Sequence, residues 1–205
     1  QFLALEHEAK FGSKAVYRRL LNNLDDYPLR PYAESVYLQR VLRYSNRKEI
    51  QAFLDTYPKE PFSVPLRKKW LNYLANRRYK KVFVEQYTDI GDARLACLNL
   101  RWQLQMGGER QAILDQTTQL WLAPKSQPRA CDPLFKLWKE SGYLTSEVAL
   151  TRLIMAAKSK NWTLLPYLKG LLNDEHKYLA GLWRSVVRRP NSVFKRNFFL
   201  FHNEY

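Results

Sequence analysis

Between Asp92 and the Gly107-Gly108 pair, Leu95, Leu98, Trp102 and Met106 recur at intervals of three and four residues. Only an α-helix brings such a set to one face, and that face must be buried against another element. The same pattern returns along the chain. Val16, Leu20 and Leu24 precede Tyr27-Pro28, which is expected to end their helix. Ile50, Phe53 and Leu54 follow Asn46 and Glu49, which are spaced as a capping box. Leu66, Trp70, Leu71 and Leu74 follow Ser63 and Pro65. Asp132-Pro133 predicts a further start: a capping carboxylate, then proline where its missing N–H costs nothing. Behind it Leu134, Leu137 and Trp138 face inward. Helices are also expected over 111–121, 145–158, 162–172 and 176–188, and another after Pro190, capped by Asn191 or Ser192.

The sum is about a dozen helices of about three turns each, joined by short polar or proline-bearing links. Glycine is rare, with 7 in 205 residues, and no stretch alternates polar and apolar residues for long, so strands are not expected. Consecutive short helices with short links pack as antiparallel hairpins. A row of them is an all-α, superhelical α-solenoid, here read as one domain over residues 1–205 with no linker inside it.

Lys and Arg number 34 against 19 Asp and Glu, a formal charge of +15. Such an excess attracts polyanions: nucleic acid, an anionic membrane surface or an acidic polymer. Two clusters interleave cations with aromatic rings. Arg67, Lys68 and Lys69, with Arg77, Arg78, Lys80 and Lys81, surround Trp70, Tyr73 and Tyr79. Arg184, Arg188 and Arg189, with Lys195 and Arg196, lie near Trp183. The competing reading makes the rings core and the charges a solvated surface. No apolar run approaches the ~20 residues of a membrane span, and none is expected. Charged Glu6, Glu8 and Lys10 follow Gln1-Phe2-Leu3 too closely for a signal peptide, so any export signal is expected to have been removed or never present.

Resident chemistry is hard to find. There is no glycine-rich phosphate loop and no His-Glu-x-x-His. His7, His176 and His202 are far apart, and no ligand spacing surrounds either cysteine, so neither metal nor cofactor is expected. Asp25-Asp26 precedes Tyr27-Pro28 and reads as a turn. Asn161-Trp162-Thr163 has the glycosylation pattern but reads as a helix cap. Cys97 and Cys131 are the only cysteines. Their spacing leaves a disulfide and two free thiols equally open.

"LWLAPKSQPRACDPLFKLWKESG", residues 120–142, contains Leu-Trp, Lys-Ser-Gln-Pro, Ala-Cys-Asp, Leu-Phe, Trp and Ser-Gly in that order. This series resembles a signature in the superhelical domain of the soluble lytic transglycosylases, periplasmic bacterial enzymes that act on peptidoglycan. "DDYPLRPYAES", residues 25–35, resembles an Asp-Tyr-Pro-Leu…Pro-Tyr segment of the same family. The similarity runs from about residue 10 to about residue 175. It departs from the pattern at Pro124, where a glycine is expected, and weakens in the basic C-terminal part. The resemblance implies a Cys97–Cys131 disulfide and an oxidising, periplasmic location. It implies that this chain is the first part of an N-terminal superhelix that closes into a ring, with chemistry in a separate lysozyme-like C-terminal domain. The implied partners are peptidoglycan, the protein's own catalytic domain and other cell-wall enzymes.

In that family a glutamate opening a Glu-Ser motif is general acid, then base, and the muramic 6-hydroxyl displaces the leaving group to give a 1,6-anhydro end. Glu140-Ser141 imitates that element alone. Neither Gly-Leu-Met-Gln nor Ala-Tyr-Asn-Ala-Gly follows it, so no catalytic residue is expected here. Whether the chain counts as an enzyme therefore depends on the parent protein. The expected role is a non-catalytic scaffold that positions peptidoglycan. Two rivals are a basic helical-repeat module for nucleic acid, which no recognisable motif supports, and a free-standing interaction solenoid for a protein partner.

Overall fold

The computed structural model describes residues 1–194, without the side chains at 184, 185, 188, 192 and 193. The described chain divides into two compact units, one through Leu95 and one from Ala96 onward. The first holds α1 (Phe2–Phe11), α2 (Lys14–Asn22), α3 (Arg30–Arg40), α4 (Arg47–Thr56), α5 (Ser63–Asn76), α6 (Lys80–Gln86) and the start of α7 (Ala93–Gln105). The second holds the rest of α7, then α8 (Arg110–Trp121), α9 (Asp132–Glu140), α10 (Ser146–Lys158), α11 (Leu165–Gly170) and α12 (Asp174–Arg188). Three 3-10 turns, Tyr44–Asn46, Arg129–Cys131 and Pro190–Phe194, lie between or after them. Among the described residues every regular element is helical, as the apolar spacing predicts.

Side-chain caps set many of the helix starts. Asp92 accepts the Leu95 N–H at 3.2 Å, the start expected for α7. Glu109 holds two N–H groups of α8 at 2.9 and 2.7 Å. Ser13 and Thr145 each accept from the third residue on, both at 3.3 Å, and Asn173 accepts from His176 at 2.9 Å. Other expected caps fail, and Asn161 is one of them, since α11 starts at Leu165 with no side-chain cap. The Asn46 amide turns back and donates to the Val41 carbonyl at 2.9 Å, so no capping box forms. Asp132 already lies inside the first turn of α9, because the Arg129–Cys131 turn starts the coil earlier; its carboxylate caps nothing and Pro133 fills the tolerated first-turn position. The Pro190 segment is the 3-10 turn named above rather than an α-helix.

Helix ends follow one recurrent device. After α5, α7, α9 and α10 the backbone turns left-handed at Arg78, Gly107, Gly142 and Lys160, with φ of 57°, 81°, 82° and 58°. In each case the next N–H reaches back to a carbonyl five residues earlier: Tyr79 to Leu74, Gly108 to Gln103, Tyr143 to Trp138 and Asn161 to Ala156. This is the Schellman closure, which glycine accepts freely and Arg78 and Lys160 do not. By contrast α2 stops at Asn22, short of Pro28, since Asn22, Asn23, Asp25 and Asp26 favour local turns over continued helix.

In the first unit α1 packs on α2 and α3, α3 on α5, and α5 on α6. Leu66, Trp70, Leu71 and Leu74 of α5 are buried with Ile50 and Leu54 of α4 and Phe83 of α6. In the second unit one continuous core joins Trp121, Leu134, Trp138, Leu153 and Leu168, with the sulfurs among them. Cys97 and Cys131 form a disulfide with Cα atoms 5.0 Å apart and a sequence separation of 34. It ties α7 to the turn that opens α9.

Candidate functional site

The first expected cluster lies on α5, its C-terminal turn and α6. From Pro65 to Val84 the sequence carries seven Lys and Arg and no Asp or Glu, yet the seven have different fates. Arg67 is 7% exposed. Its guanidinium donates to the Leu54 carbonyl at 3.2 Å, to that of Pro58 at 3.5 Å and to the Thr88 hydroxyl at 3.2 Å. It closes the end of α4 and faces the chain's own carbonyls. Lys68 and Lys69 are exposed about 12 Å further back along α5 than Arg77. Arg77, Arg78, Lys80 and Lys81 are all exposed around the left-handed turn.

The rings divide in the same way. Trp70 is fully buried, its indole N–H donating to Gln86 at 2.7 Å, so it belongs to the core. Tyr73 stacks on it at 5.6 Å and accepts the Tyr44 N–H through its hydroxyl. Tyr79 stacks on Tyr44 at 4.3 Å and lies 6.2 Å from Tyr73. A ladder Trp70–Tyr73–Tyr79–Tyr44 thus runs from the core to the surface. Arg77 lies over Tyr73 at 6.0 Å and Arg47 over Tyr44 at 4.6 Å. Cations poised on tyrosine faces give a surface that can meet both anionic groups and the apolar faces of sugars. Tyr44 and Arg47 were not foreseen from the sequence; the run Arg40, Arg43, Arg47 and Lys48 around Tyr44 is its only trace.

The second expected cluster is mostly out of view. Lys195 and Arg196 lie outside the described residues, as do the side chains of Arg184 and Arg188; Arg189 is exposed and Trp183 is packed against the core of its unit. His202 also lies outside them.

In the second unit the 122–128 loop is clasped from two sides. Buried Arg152 donates to the Ala123 and Lys125 carbonyls at 3.0 and 3.1 Å while its guanidinium rests 4.5 Å from the Trp121 ring. The Asn161 amide donates to the Pro124 carbonyl at 2.9 Å and Thr163 donates to Asn161. The apparent glycosylation pattern is therefore a loop clasp. Beside the loop opens a groove of about 530 Å³, lined by Trp121, Phe135 and Tyr167 and by Lys136 and Lys139. Burial lowers the Arg152 pKa.

Glu140 ends α9 in solvent, 3.8 Å from Lys136. Ser141 donates to the Leu137 carbonyl at 2.8 Å and accepts from Arg110 at 3.0 Å. A glycosidic acid is held in an apolar cleft that favours its neutral form, a setting Glu140 does not have. His7 lies exposed near Glu8, and His176 shares a hydrogen bond with Ser146 at 2.6 Å. Asp25 pairs with Arg30 at 3.3 Å in its turn. Among the described residues no three His, Cys, Asp or Glu gather as a metal site. Among them, too, no helix is long and apolar enough to cross a membrane.

No protein-family model matches the sequence. The chain is 28% identical over 181 residues to the soluble lytic murein transglycosylase of Escherichia coli K12, covering 87% of itself and 28% of that protein. The Salmonella typhimurium counterpart is 29% identical over the same share. Among solved structures, an inactive mutant of the lytic transglycosylase Slt of Pseudomonas aeruginosa superposes with a TM-score of 0.70 at 32% identity, covering 94% of this chain and 31% of that one. The 70-kDa soluble lytic transglycosylase of Escherichia coli gives 0.65 at 25% identity over the same shares. The chain spans less than a third of the length of each of these relatives.

Proposed function

We propose that this chain, whose kinship with the soluble lytic murein transglycosylases is shown in sequence and in fold, is a non-catalytic superhelical portion of such an enzyme. Its parent cleaves the MurNAc–GlcNAc bond of peptidoglycan and leaves 1,6-anhydromuramic ends. The chain itself serves as scaffold and substrate-positioning segment in the periplasm. Its partners are peptidoglycan, the protein's own C-terminal catalytic domain and other cell-wall enzymes. One observation carries the reading: a likeness that takes in 94% of this chain at a TM-score of 0.70 uses only 31% of the relative. The disulfide supports it, since such bonds persist in oxidising compartments. So does the tyrosine ladder with its exposed cations, because the peptide carboxylates make peptidoglycan locally acidic. Nothing found favours nucleic acid.

The test is co-sedimentation of the 205-residue chain with purified sacculi at two salt concentrations, with the soluble products analysed. Retention that weakens with salt and with the variant R77Q/R78Q/K80Q/K81Q, and release of no anhydro-muropeptides, is expected. Failure to sediment, or glycan cleavage by the chain alone, overturns the reading.

A further inference from the structure

We propose that the groove beside the 122–128 loop is a binding site for an N-acylated, carboxylate-bearing ligand, which on the reading above is the peptide stem of peptidoglycan. Its volume of about 530 Å³ lies within the range of small-ligand sites.

The argument begins with Arg152, which is 4% exposed. Among the described residues it has no ion-pair partner, and two of its five N–H groups go to the Ala123 and Lys125 carbonyls. Those bonds explain the donors but not the charge. The Trp121 ring face, 4.5 Å away, and the two carbonyls offset part of the cost of taking this cation out of water, and an anion bound beside it would offset more. Two further cations line the same groove. Lys139 donates to the Tyr167 hydroxyl at 2.9 Å and has no carboxylate beside it among the described residues. Among the described residues the one ion-pair partner of Lys136 is exposed Glu140, at 3.8 Å.

Asp132 also lines the groove and opposes an anion, so the lining balance is three cations to one acid. It also disfavours a ligand charged along its whole length. Ser126 and Gln127 offer neutral hydrogen-bonding groups to amides at the loop edge, and Trp121, Phe135, Leu164 and Tyr167 of the lining offer apolar surface. A carboxylate for the cations, amides for the loop and an aliphatic stretch for the apolar lining together describe an acylated peptide end rather than a free inorganic anion.

The experiment titrates the 205-residue chain calorimetrically with a disaccharide-tripeptide muropeptide and with the same compound after its carboxylates are converted to carboxamides. Amidation is expected to weaken binding about tenfold or more. The surface variant K136Q/K139Q is expected to lose that preference while keeping the melting temperature. R152Q, followed with a melting curve, should lose binding of the carboxylated compound; should it unfold, the lysine variant alone decides. Equal affinity for the two compounds, or an unchanged preference in K136Q/K139Q, overturns the proposal. Glutarate binding as tightly as the muropeptide overturns the acyl-chain part of it. Sacculus retention of the wild type that the lysine variant leaves unaltered, together with an unaltered titration, sinks this site and spares the proposed function. Loss of sacculus retention in the wild type sinks the function, and the titration still decides the groove.

Discussion

Removal of the Cys97–Cys131 bridge gives the sharpest test of how the second unit is held. The bond spans 34 residues of sequence, and in the chain-entropy treatment closing a loop of that size restricts the unfolded chain by about 4 kcal/mol. Both sulfurs are fully buried within the core that holds Trp121, Leu134 and Trp138. Reduced thiols would stay packed there, so most of the loss comes from the freed unfolded chain rather than from a damaged native state. The expected cost on reduction is about 2–4 kcal/mol. Urea unfolding followed by far-UV circular dichroism, with and without reductant and with the oxidation state verified by mass, measures it. The slope against urea should also steepen, because the reduced unfolded chain exposes more surface. C97A/C131A should lose about 1 kcal/mol more through the space left by the sulfurs. The bond lies wholly in the unit that starts at Ala96, so a probe in the first unit should respond less. A difference below about 1 kcal/mol between oxidised and reduced protein would refute this reasoning.

R67M should cost about 2–4 kcal/mol, since it leaves the Leu54 and Pro58 carbonyls without their donor; chemical denaturation measures it, and R67K should recover part of the loss. R78G and K160G should each stabilise by about 0.5–1 kcal/mol, because relief of left-handed strain outweighs the entropy of glycine; a rise in melting temperature checks both. Burial raises the Glu34 pKa above its ordinary value, Glu49 and Asp25 add to the rise, and Arg30 opposes it. An acid whose folded pKa is raised binds its proton more tightly when folded, so its stabilising contribution is present at low pH and fades as pH rises through the raised value. The difference in unfolding free energy between the wild type and E34Q, measured from pH 4 to 7, should therefore fall with rising pH.

Where local chemistry and tertiary packing agree, the sequence is easily read. The Asp92 cap, the Leu95–Leu98–Trp102 stripe and the Gly107 stop mark α7 closely because each is a strong short-range signal. Three helices went unread. In α1 only Leu5 and Ala9 are buried, too little to make a stripe. Residues 30–40 form α3 with Pro31 in its first turn, but its buried set of Ala33, Ser35, Tyr37 and Leu38 has no clear apolar period. In α6, seven residues long, only Phe83 is buried. The site was read less well, for a different reason. Arg67, Lys68 and Lys69 are equivalent in a string of letters, and only the placement of Leu54 and Pro58 makes the first a structural clasp. Tyr44 joins Tyr79, and Arg152 joins Lys139 across the groove, through folding that spacing along the chain does not reveal.

The charge excess can then be divided into two parts with different causes. A fold made of many short helices leaves many helix ends and loop carbonyls that water cannot always reach. Here two buried guanidinium side chains serve some of them: Arg67 donates to the end of α4 and Arg152 to the loop after α8. These arginines are needed for construction, because a lysine offers one point charge where a fork of donors is required. They would be present whatever the chain bound. The cations around Tyr79 are exposed, and they stand in a twenty-residue run free of acids. Like charges gathered there repel one another, a cost that a bound polyanion would relieve. Arg152 belongs to both parts: its bonds to the loop are constructional, while its buried charge, which has no ion-pair partner among the described residues, is the one the proposed ligand would neutralise. This division makes the two sets separable by experiment, since replacing the first kind should lower stability, while replacing the second with glutamine, which keeps the backbone preference of the site unrelieved, should lower retention on sacculi and leave the melting curve in place.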